Sequence, residues 1–293
     1  MITNQIYKDG FGENLKFIIY AIMYAEYLNE EFHYTKLSNI IEHNYDNDPE
    51  FINNKEKLIN IINHYPIAKN EIEYKKPSKF ALLHFFEKNI DFCFKSNCLK
   101  KLKNIFKEVN QDKFDKTFFN IAIHIRKMNI LDIKQKPSHI KMIPGTDVPI
   151  NVYKEIIQQL KKLYKNCRIH VYSQTEENNS KENSFDFEDD IILHLDETTE
   201  ISFIDFVYAD VLVVAPSAFS YTSAILSDAI IYYIDSCHKP LPSWNLIQNY
   251  TSTHNRYSFS TKSKINVFYD TKIGQFYKED INTREYINIH EYI

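Results

Sequence analysis

The sequence predicts an α/β protein with parallel sheets, and two observations carry this prediction. In the second half of the chain, short continuous apolar runs alternate with segments whose apolar residues recur at helical spacing. Continuous apolar runs are typical of strands buried on both faces, and their alternation with helices implies parallel strands joined by crossover helices. A shorter strand–helix–strand pattern opens the chain. We therefore expect a parallel sheet in each half.

Length and composition narrow the class further. The chain has 293 residues, which is more than a single hydrophobic core usually organises, and at roughly 150 residues per domain we expect two domains. Apolar residues make up 44% of the chain, which excludes a disordered protein. The net charge of −4 argues against nucleic acid or a membrane surface as a partner, because no overall positive field attracts polyanions.

The cysteines and the most apolar helix bear on the compartment. The four cysteines contain no CxxC pair, so we expect neither a structural zinc site nor a redox motif, and free thiols indicate a reducing compartment. The most apolar helical run, Asn14 to Leu28, is too short to span a bilayer and is flanked by glutamates, which favours a buried core helix. No signal sequence precedes it, and we therefore expect a cytoplasmic protein.

Two strands are expected on either side of this apolar helix, over Ile2 to Lys8 and Glu31 to Thr35. The turn between the first strand and the helix holds Gly10, Phe11 and Gly12, and so contains two of the four glycines of the chain. Glycine permits close approach of another backbone or of a ligand, which makes this turn a candidate binding loop. A tight turn alone would also explain the pair.

The middle of the chain predicts a helical region without chemical motifs, followed by a strand that ends in a histidine and two cations. From Lys36 to Asn110 we expect three or four helices packed on the first sheet. Phe118 to Arg126 then predicts a buried strand in which His124 and Arg126 share one face, and Lys127 follows. A guanidinium and an ammonium beside a histidine are suited to hold phosphate. A simple return of the chain to solvent would also explain the cations, but the alternation with isoleucines favours phosphate.

We place a domain boundary near residue 145, in a long loop over Met128 to Asp147, and expect domains at 1–145 and 146–293. Beyond it the pattern predicts a helix, two strands and a further helix, over Asn151 to Tyr164, Arg168 to Ser173, Ile191 to Leu195 and Thr199 to Tyr208. After Cys237 the sequence pattern predicts secondary structure less clearly, and a last helix there could cross back to the first domain.

The clearest pattern lies late in the chain. It predicts a strand at Val211 to Val214, a helix from Phe219 to Leu226 and a strand at Ile230 to Ile234. Ser217 falls at the N-cap of this helix, and the backbone N–H groups of Ala218 to Ser220 would face outward at the carboxyl edge of the sheet. Together with the helix dipole they make a seat for a phosphate or another anion. An ordinary capped helix shows the same pattern.

Several motifs resemble those of the fucosyltransferases that use GDP-fucose. They are HIRK at 124–127, YSQ at 172–174 and ADVLVVAPSAFSYTSAILSDAIIYY at 209–233. The stretch DGFGENLKFIIYAIMYAEY at 9–27 is similar to the first turn and helix of the same group, and of uncharacterised viral and algal proteins of that type.

The resemblance implies a GT-B architecture, in which two Rossmann-like domains with parallel sheets face a central cleft. Residues 1–145 would form the acceptor side and residues 146–293 the domain that binds the nucleotide sugar. The resemblance also implies donor-binding residues in the first turn, at two strand ends and in the late helix. They are Gly10, Phe11, Gly12, His124, Arg126, Tyr172, Ser173, Gln174, Ser217, Ala218, Phe219, Ser220 and Tyr221.

Two family motifs are altered in this chain. In the family pattern HxRRxD the first arginine, here Arg126, would hold the β-phosphate of the donor. Lys127 replaces the second arginine and Asn129 stands near the place of the acid. Lysine keeps the charge but loses the two-pronged guanidinium. The family turn Ser-Ser-Phe-Ser appears as Ser-Ala-Phe-Ser, which keeps the backbone amides and loses one hydroxyl.

The implied reaction is an inverting transfer of fucose to a hydroxyl of a glycan or glycoprotein acceptor, without a cofactor or a metal. Arg126 and Lys127 would stabilise the negative charge that develops on the diphosphate leaving group. A carboxylate should take the proton of the acceptor. The sequence does not choose among the candidates, which are Asp132, Asp147, Asp9 and Glu13.

Two other functions are compatible with the sequence. A metal-dependent glycosyltransferase that uses another nucleotide sugar could bind Mn²⁺ or Mg²⁺ at the acidic cluster from Asp186 to Asp190. That cluster precedes a strand, however, and a solvated loop explains it better. The altered motifs instead favour a degenerate transferase that serves as a nucleotide-binding or glycan-binding module.

Overall fold

The computed structural model describes residues 1–44, 48–127, 148–175, 185–234 and 238–247, together with short strands between residues 250 and 280. The helices are α1 Phe11–Tyr27, α2 Phe51–Ile59, α3 Lys79–Lys88, α4 Ile90–Lys95, α5 Asn97–Val109, α6 Ile150–Leu163, α7 Thr199–Tyr208 and α8 Ala218–Leu226. The first eight strands are β1 Ile2–Thr3, β2 Phe32–His33, β3 Phe119–His124, β4 Cys167–Ser173, β5 Ile191–Leu195, β6 Val211–Val214, β7 Ile230–Tyr233 and β8 Asn245–Leu246.

A six-stranded sheet forms the centre of the molecule, with the strand order β5-β4-β3-β6-β7-β8. All five neighbouring pairs are parallel. Numbered within the sheet, this order is 3-2-1-4-5-6, which is the order of dinucleotide-binding α/β sheets. The predicted fold class, an α/β protein with parallel sheets, is confirmed.

The amino-terminal strands form a second, smaller sheet. β1 and β2 pair in parallel on either side of α1, as the strand–helix–strand prediction requires. Both strands are shorter than predicted, with two residues each. Four helices, α2 to α5, follow before β3, in agreement with the expected three or four.

The strand β3 belongs to the six-stranded sheet, where it lies between β4 and β6. The division predicted at residue 145 instead assigns this strand to the first domain. Strand pairing therefore begins the large sheet at Phe119, before the predicted boundary. The separation into an acceptor side and a nucleotide-sugar side stays a prediction.

Side-chain alternation along β3 assigns the two faces of the sheet to different layers. Ile121 and Ile123 contact a cluster that also contains Val152 and Ile156 of α6. Ala122 points to the other face, where α7 and α8 pack and where α1 and α5 pack on them in turn. That second cluster extends from Ile2 to Trp244, so helices from both sides of residue 145 share one buried core.

The carboxyl-terminal region differs from its prediction. β9 Tyr250–Thr251 pairs antiparallel with β10 Arg256–Tyr257, and β11 Ile265–Asp270 pairs antiparallel with β12 Gln275–Asp280. None of the residues described after Leu226 is helical, so the expected last helix is not found in that part of the chain. Among the described residues, no helix combines the length and the apolar character that a membrane span requires.

The first turns of α1 and α8 touch directly, and Gly12 makes this contact possible. A Cβ atom added at Gly12 would lie 2.5 Å from Cα and 2.6 Å from N of Phe219. The hydroxyl of Thr222 donates a hydrogen bond of 3.0 Å to the carbonyl of Gly12. The Gly-x-Gly turn predicts close approach of another backbone or of a ligand, and the structure shows a backbone at Gly12.

Replacement of Gly12 by alanine tests this contact. At an open helical position alanine is more stable than glycine by about 1 kcal/mol. Here we expect the opposite sign, a loss of about 1–3 kcal/mol in the free energy of unfolding, because the methyl group meets backbone that cannot rotate away. Urea unfolding of Gly12→Ala against the unmodified chain measures the difference.

Gly10→Ala is the matched control, because an added Cβ there meets the side chain of His43 at 2.7 Å. A side chain can move, so we expect a smaller loss, which His43→Ala relieves in the double variant. Phe219→Ala should not relieve Gly12→Ala. An unchanged or raised stability of Gly12→Ala would contradict the backbone contact.

A buried histidine, His170, makes the fold sensitive to acid. Nδ1 of His170 lies 2.9 Å from Nε2 of His194, and His170 is 7% exposed. Burial, with His194 and Arg168 nearby, lowers the pKa of His170 from 6.5 to about 4.

The shift sets a pH window for stability. The unfolded chain binds a proton at this histidine near pH 6.5, whereas the folded chain resists it until about pH 4. The free energy of unfolding should therefore fall as the pH decreases from about 6.5 to about 4, and be fully recovered above that window. Urea unfolding at several pH values measures this slope. His170→Leu should flatten it, and equal slopes in both proteins would refute the assignment.

Candidate anion-binding site

The centre of the six-stranded sheet contains the point where chain connections change direction. From β3 the chain continues to β4 on one side, and it later returns to β6 on the other side of β3. In open α/β sheets, ligands bind outside the carboxyl ends of the strands at such a switch point. The residues at this edge are Ile125 to Lys127 after β3 and Ala215 to Ser217 after β6.

Ser217 caps the helix that follows β6. Its Oγ accepts a hydrogen bond of 3.3 Å from the N–H of Phe219, and the first intrahelical bond runs from the N–H of Tyr221 to the carbonyl of Ser217. The predicted N-cap is confirmed. No acidic residue stands in the first turn of α8, so the positive end of this helix dipole has no carboxylate of its own.

Two side chains from the end of β3 reach the first turn of α8. Nη1 of Arg126 donates to Oγ of Ser217 at 3.4 Å, and Nδ1 of His124 lies 2.8 Å from Oγ of Ser220. The predicted convergence of the strand end with the late helix is thus observed. The Ser220 hydroxyl has one proton and two acceptors within reach, Nδ1 of His124 and the carbonyl of Ala215 at 3.4 Å, so the tautomer of His124 decides which bond the hydroxyl donates.

His124 acts here as a neutral group. Burial, and secondarily the charge of Arg126, lower its pKa from 6.5 to about 3. Its ring lies among aromatic side chains, 5.4 Å from the ring of Phe206 and 6.0 Å from that of Phe219. The positive charge at this strand end therefore comes from Arg126 and Lys127, while His124 holds Ser220 by a hydrogen bond.

The first turn of α1 completes the site through the contact at Gly12. Gly10 is the N-cap of α1, and its N–H bonds to Oδ1 of Asp9 at 2.8 Å. Phe11 is 4% exposed and packs edge-on against Phe203. Its side chain is therefore part of the core, whereas the backbone of this turn lies beside the first turn of α8.

The carboxylates near α1 are already paired with lysines. Glu13 contacts Nζ of Lys16 at 2.7 Å and Nζ of Lys79 at 3.7 Å, and Asp9 contacts Lys79 at 2.9 Å. Lys16 is 1% exposed and also lies 3.3 Å from Nδ1 of His238. Asp9 and Glu13 stand at the amino end of α1, whereas the first turn of α8 has no acidic residue, so the positive potential at the switch point comes mainly from Arg126 and the amino end of α8.

Of the residues at the end of strand β4 that were predicted to bind the sugar donor, two bond within the protein and one is exposed. Tyr172 donates to Oδ2 of Asp205 at 2.8 Å and stacks on His194, with ring centroids 4.3 Å apart. Ser173 donates to the carbonyl of Ile125 at 2.8 Å. Both hydroxyls are thus used within the protein, and only Gln174 of this motif is exposed.

Tyr221 is likewise part of the core, since it is fully buried and its hydroxyl donates to the carbonyl of Lys239 at 2.6 Å. The base candidates Asp132 and Asp147, and Asn129 near the altered motif, lie outside the described residues. The predicted roles of all these residues stay predictions.

The acidic cluster considered for a metal is engaged by a lysine. Nζ of Lys161 lies 2.6 Å from Glu188 and 2.7 Å from Asp190. In the described part of the chain, no group of three or more His, Cys, Asp or Glu side chains has the arrangement of a metal site. The cluster therefore resembles a surface ion-pair network more than a cation site.

Sequence reasoning missed the polar residues that support the site from within. Asn14 is fully buried, and its side chain bonds to the backbone of the turn that precedes α1. Lys16 is buried on the same helix. The available signal was their position inside the most apolar run of the chain, where a polar residue needs a defined partner.

Comparisons with known proteins give no family for the chain. No family model and no curated protein matches it. Among solved structures, it is similar to the fucosyltransferase NodZ from Bradyrhizobium, with 12% identity and a TM-score of 0.35 over 77% of this chain and 93% of that chain. A NodZ alpha-1,6-fucosyltransferase soaked with GDP-fucose gives 12% identity and a TM-score of 0.34 over 77% and 92%.

The selenomethionine form of NodZ from Bradyrhizobium gives 12% identity and a TM-score of 0.33 over the same shares of 77% and 92%. At this distance the similarity assigns neither a donor nor an acceptor to this chain. It also does not bear on the expected resemblance to viral and algal proteins.

Proposed function

We propose that this protein is a glycosyltransferase that transfers fucose from GDP-fucose to a glycan or protein hydroxyl, with inversion and without a metal. One observation carries the proposal. At the switch point of a nucleotide-binding type of sheet, the amino ends of α1 and α8 meet beside Arg126. The motif resemblance at residues 124–127 and 209–233 supplies the identity of the sugar donor.

A diphosphate suits this arrangement better than a single anion. The N–H of Gly10 is bonded to Asp9 and that of Phe219 to Ser217, and we assign the other first-turn amides of each helix to the oxygens of one phosphoryl group. The guanidinium of Arg126 adds a two-pronged donor that matches phosphate geometry. The lack of an acidic residue in the first turn of α8 leaves its dipole to be offset by a ligand.

The chemistry follows from where charge develops. As the glycosidic bond breaks, the leaving diphosphate gains negative charge, and donors already fixed in place stabilise it without reorganisation. Arg126 and the amides from Ala218 to Ser220 supply this field, and we assign Lys127 to the same role. His124 contributes by holding Ser220, which is fully buried.

The general base remains one of the proposed carboxylates. Asp9 and Glu13 each already bond to a lysine within the protein, which leaves them less available to an acceptor hydroxyl. We therefore favour Asp132 or Asp147 for this role. Gln174, exposed at the carboxyl end of β4, is our candidate for contact with the base or ribose of the donor.

A nucleotide-binding module without turnover is the second candidate function. Its support is the substitution pattern at the motif, where Lys127 lacks the second guanidinium and Ala218 lacks a hydroxyl. The metal-dependent alternative has less support, because Lys161 occupies the acidic cluster that it requires.

Arg126→Ala tests the diphosphate site directly. Thermal unfolding should be followed with GDP, UDP, ADP, CMP and their sugars. We expect guanine nucleotides to give the largest increase in Tm of the unmodified chain. A ligand at about 100 times its Kd stabilises by about 2.7 kcal/mol, which corresponds to several degrees. Arg126→Ala should abolish the shift, and Arg126→Lys should retain part of it because the charge remains.

Arg168→Ala provides the matched control. Arg168 stands at the start of β4, at the opposite edge of the same sheet, where its guanidinium lies 3.8 Å from the ring centre of Phe118. This variant should keep the full nucleotide shift. Retention of the shift in Arg126→Ala, or its equal loss in both variants, would count against the proposed site.

Turnover separates the candidate functions. We expect the purified chain to hydrolyse GDP-fucose to GDP and fucose, with water in place of the acceptor hydroxyl, at the same rate with and without EDTA, because the protein's own cations offset the leaving group. Removal of these fixed donors typically costs about 100-fold or more in kcat, and Arg126→Ala should show such a loss. Release that stops in EDTA would establish the metal-dependent alternative. Binding of GDP-fucose without release would establish the binding module.

A further inference from the structure

A buried asparagine organises the turn that leads into α1. Asn14 lies in the second turn of this helix and is fully buried. Its Oδ1 accepts from the N–H of Tyr7 at 2.8 Å. Its Nδ2 lies within hydrogen-bond distance of three carbonyls, those of Tyr7 at 3.1 Å, Asp9 at 3.0 Å and Gly10 at 3.1 Å.

This set of bonds is specific to an amide side chain. Only a group with an acceptor and a two-proton donor can bond to the N–H of Tyr7 and to carbonyls of the same turn. Asparagine is a poor helix former, and a buried polar side chain requires partners. The turn from Tyr7 to Gly10 supplies those partners, so the cost of burying Asn14 is offset by fixing that backbone.

This turn also fixes the first helical residues of α1. Gly10 is the N-cap, and the N–H of Asn14 also bonds to its carbonyl at 3.1 Å. Two residues along, Gly12 contacts the backbone of Phe219 in the first turn of α8. Any displacement of the turn would therefore shift the amides of α1 relative to those of α8 and to Arg126.

We propose that Asn14 is a positioning residue of the diphosphate site, which holds the first-turn amides of α1 in register with those of α8. Asn14 itself does not touch the ligand. The inference rests on the proposed function, because it assigns to α1 a share in binding the diphosphate.

Isothermal titration with GDP and with pyrophosphate tests the assignment. We expect Asn14→Ala to weaken both affinities by about tenfold or more, as small displacements of binding groups do. Asn14→Ser should fall between this variant and the unmodified chain, because its hydroxyl can still donate to the carbonyl of Gly10, four residues earlier. Equal losses for the two ligands would place the effect at the diphosphate.

Asn110→Ala is the matched control for loss of stability alone. Asn110 is also a buried asparagine, and its Nδ2 donates to the carbonyls of Leu58 at 2.9 Å and Phe106 at 2.7 Å. This variant should lose comparable stability and keep its affinities within about twofold. Asn14 variants that bind like Asn110→Ala would overturn the positioning role.

Hydrogen exchange of the unmodified chain gives a second test that does not depend on a variant folding. On addition of GDP, exchange of the amides from Phe11 to Glu13 should slow together with those from Ala218 to Ser220. Slowing at α8 alone would overturn the inference and leave the proposed function standing. If the unmodified chain binds neither GDP nor pyrophosphate, both are overturned.

Discussion

The contact between the amino ends of α1 and α8 is the constraint on which the candidate site depends. Each end is the positive end of a helix dipole, worth about half a charge, and although Asp9 and Glu13 offset part of it at α1, close approach of the two ends still requires another force to hold them together. Burial supplies that force, because α1 is almost entirely enclosed by the apolar cluster that it shares with α8. Gly12 removes the side chain that would separate the two backbones, and Thr222 bonds across the contact. A favourable core thus maintains an unfavourable concentration of positive potential at the sheet edge.

Much of the fold could be predicted because its signals are local. The run Val211 to Val214 and the helix from Thr199 to Tyr208 were predicted with their observed bounds, since continuous apolar runs and helical periodicity are properties of short segments. Membership of a sheet is not local. The strand Phe119–His124 pairs with strands whose sequences begin after residue 166, and no pattern within the strand itself identifies those partners.

The same distinction applies to the site. The N-cap at Ser217 and the approach of Arg126 were predictable, because carboxyl ends of parallel strands must share one edge. The hydroxyls of Tyr172 and Tyr221 were not separable from ligand contacts by sequence, since their partners, Asp205 and the carbonyl of Lys239, are distant along the chain. Asn14 and Lys16 were overlooked for a related reason. An apolar run predicts a core helix, and the partners that its polar residues bind in three dimensions cannot be identified from the sequence.

The site also shows how burial can make a binding region independent of pH. His124 stands beside Arg126, yet burial keeps its pKa near 3, so it stays neutral and directional in its bond to Ser220. A charged imidazolium there would repel the guanidinium and lose that defined bond. The remaining positive potential comes from backbone dipoles, which do not titrate, and from a guanidinium, which stays protonated in proteins. The sheet edge therefore keeps a constant attraction for anions across the range in which the rest of the fold gains or loses stability through its buried histidines.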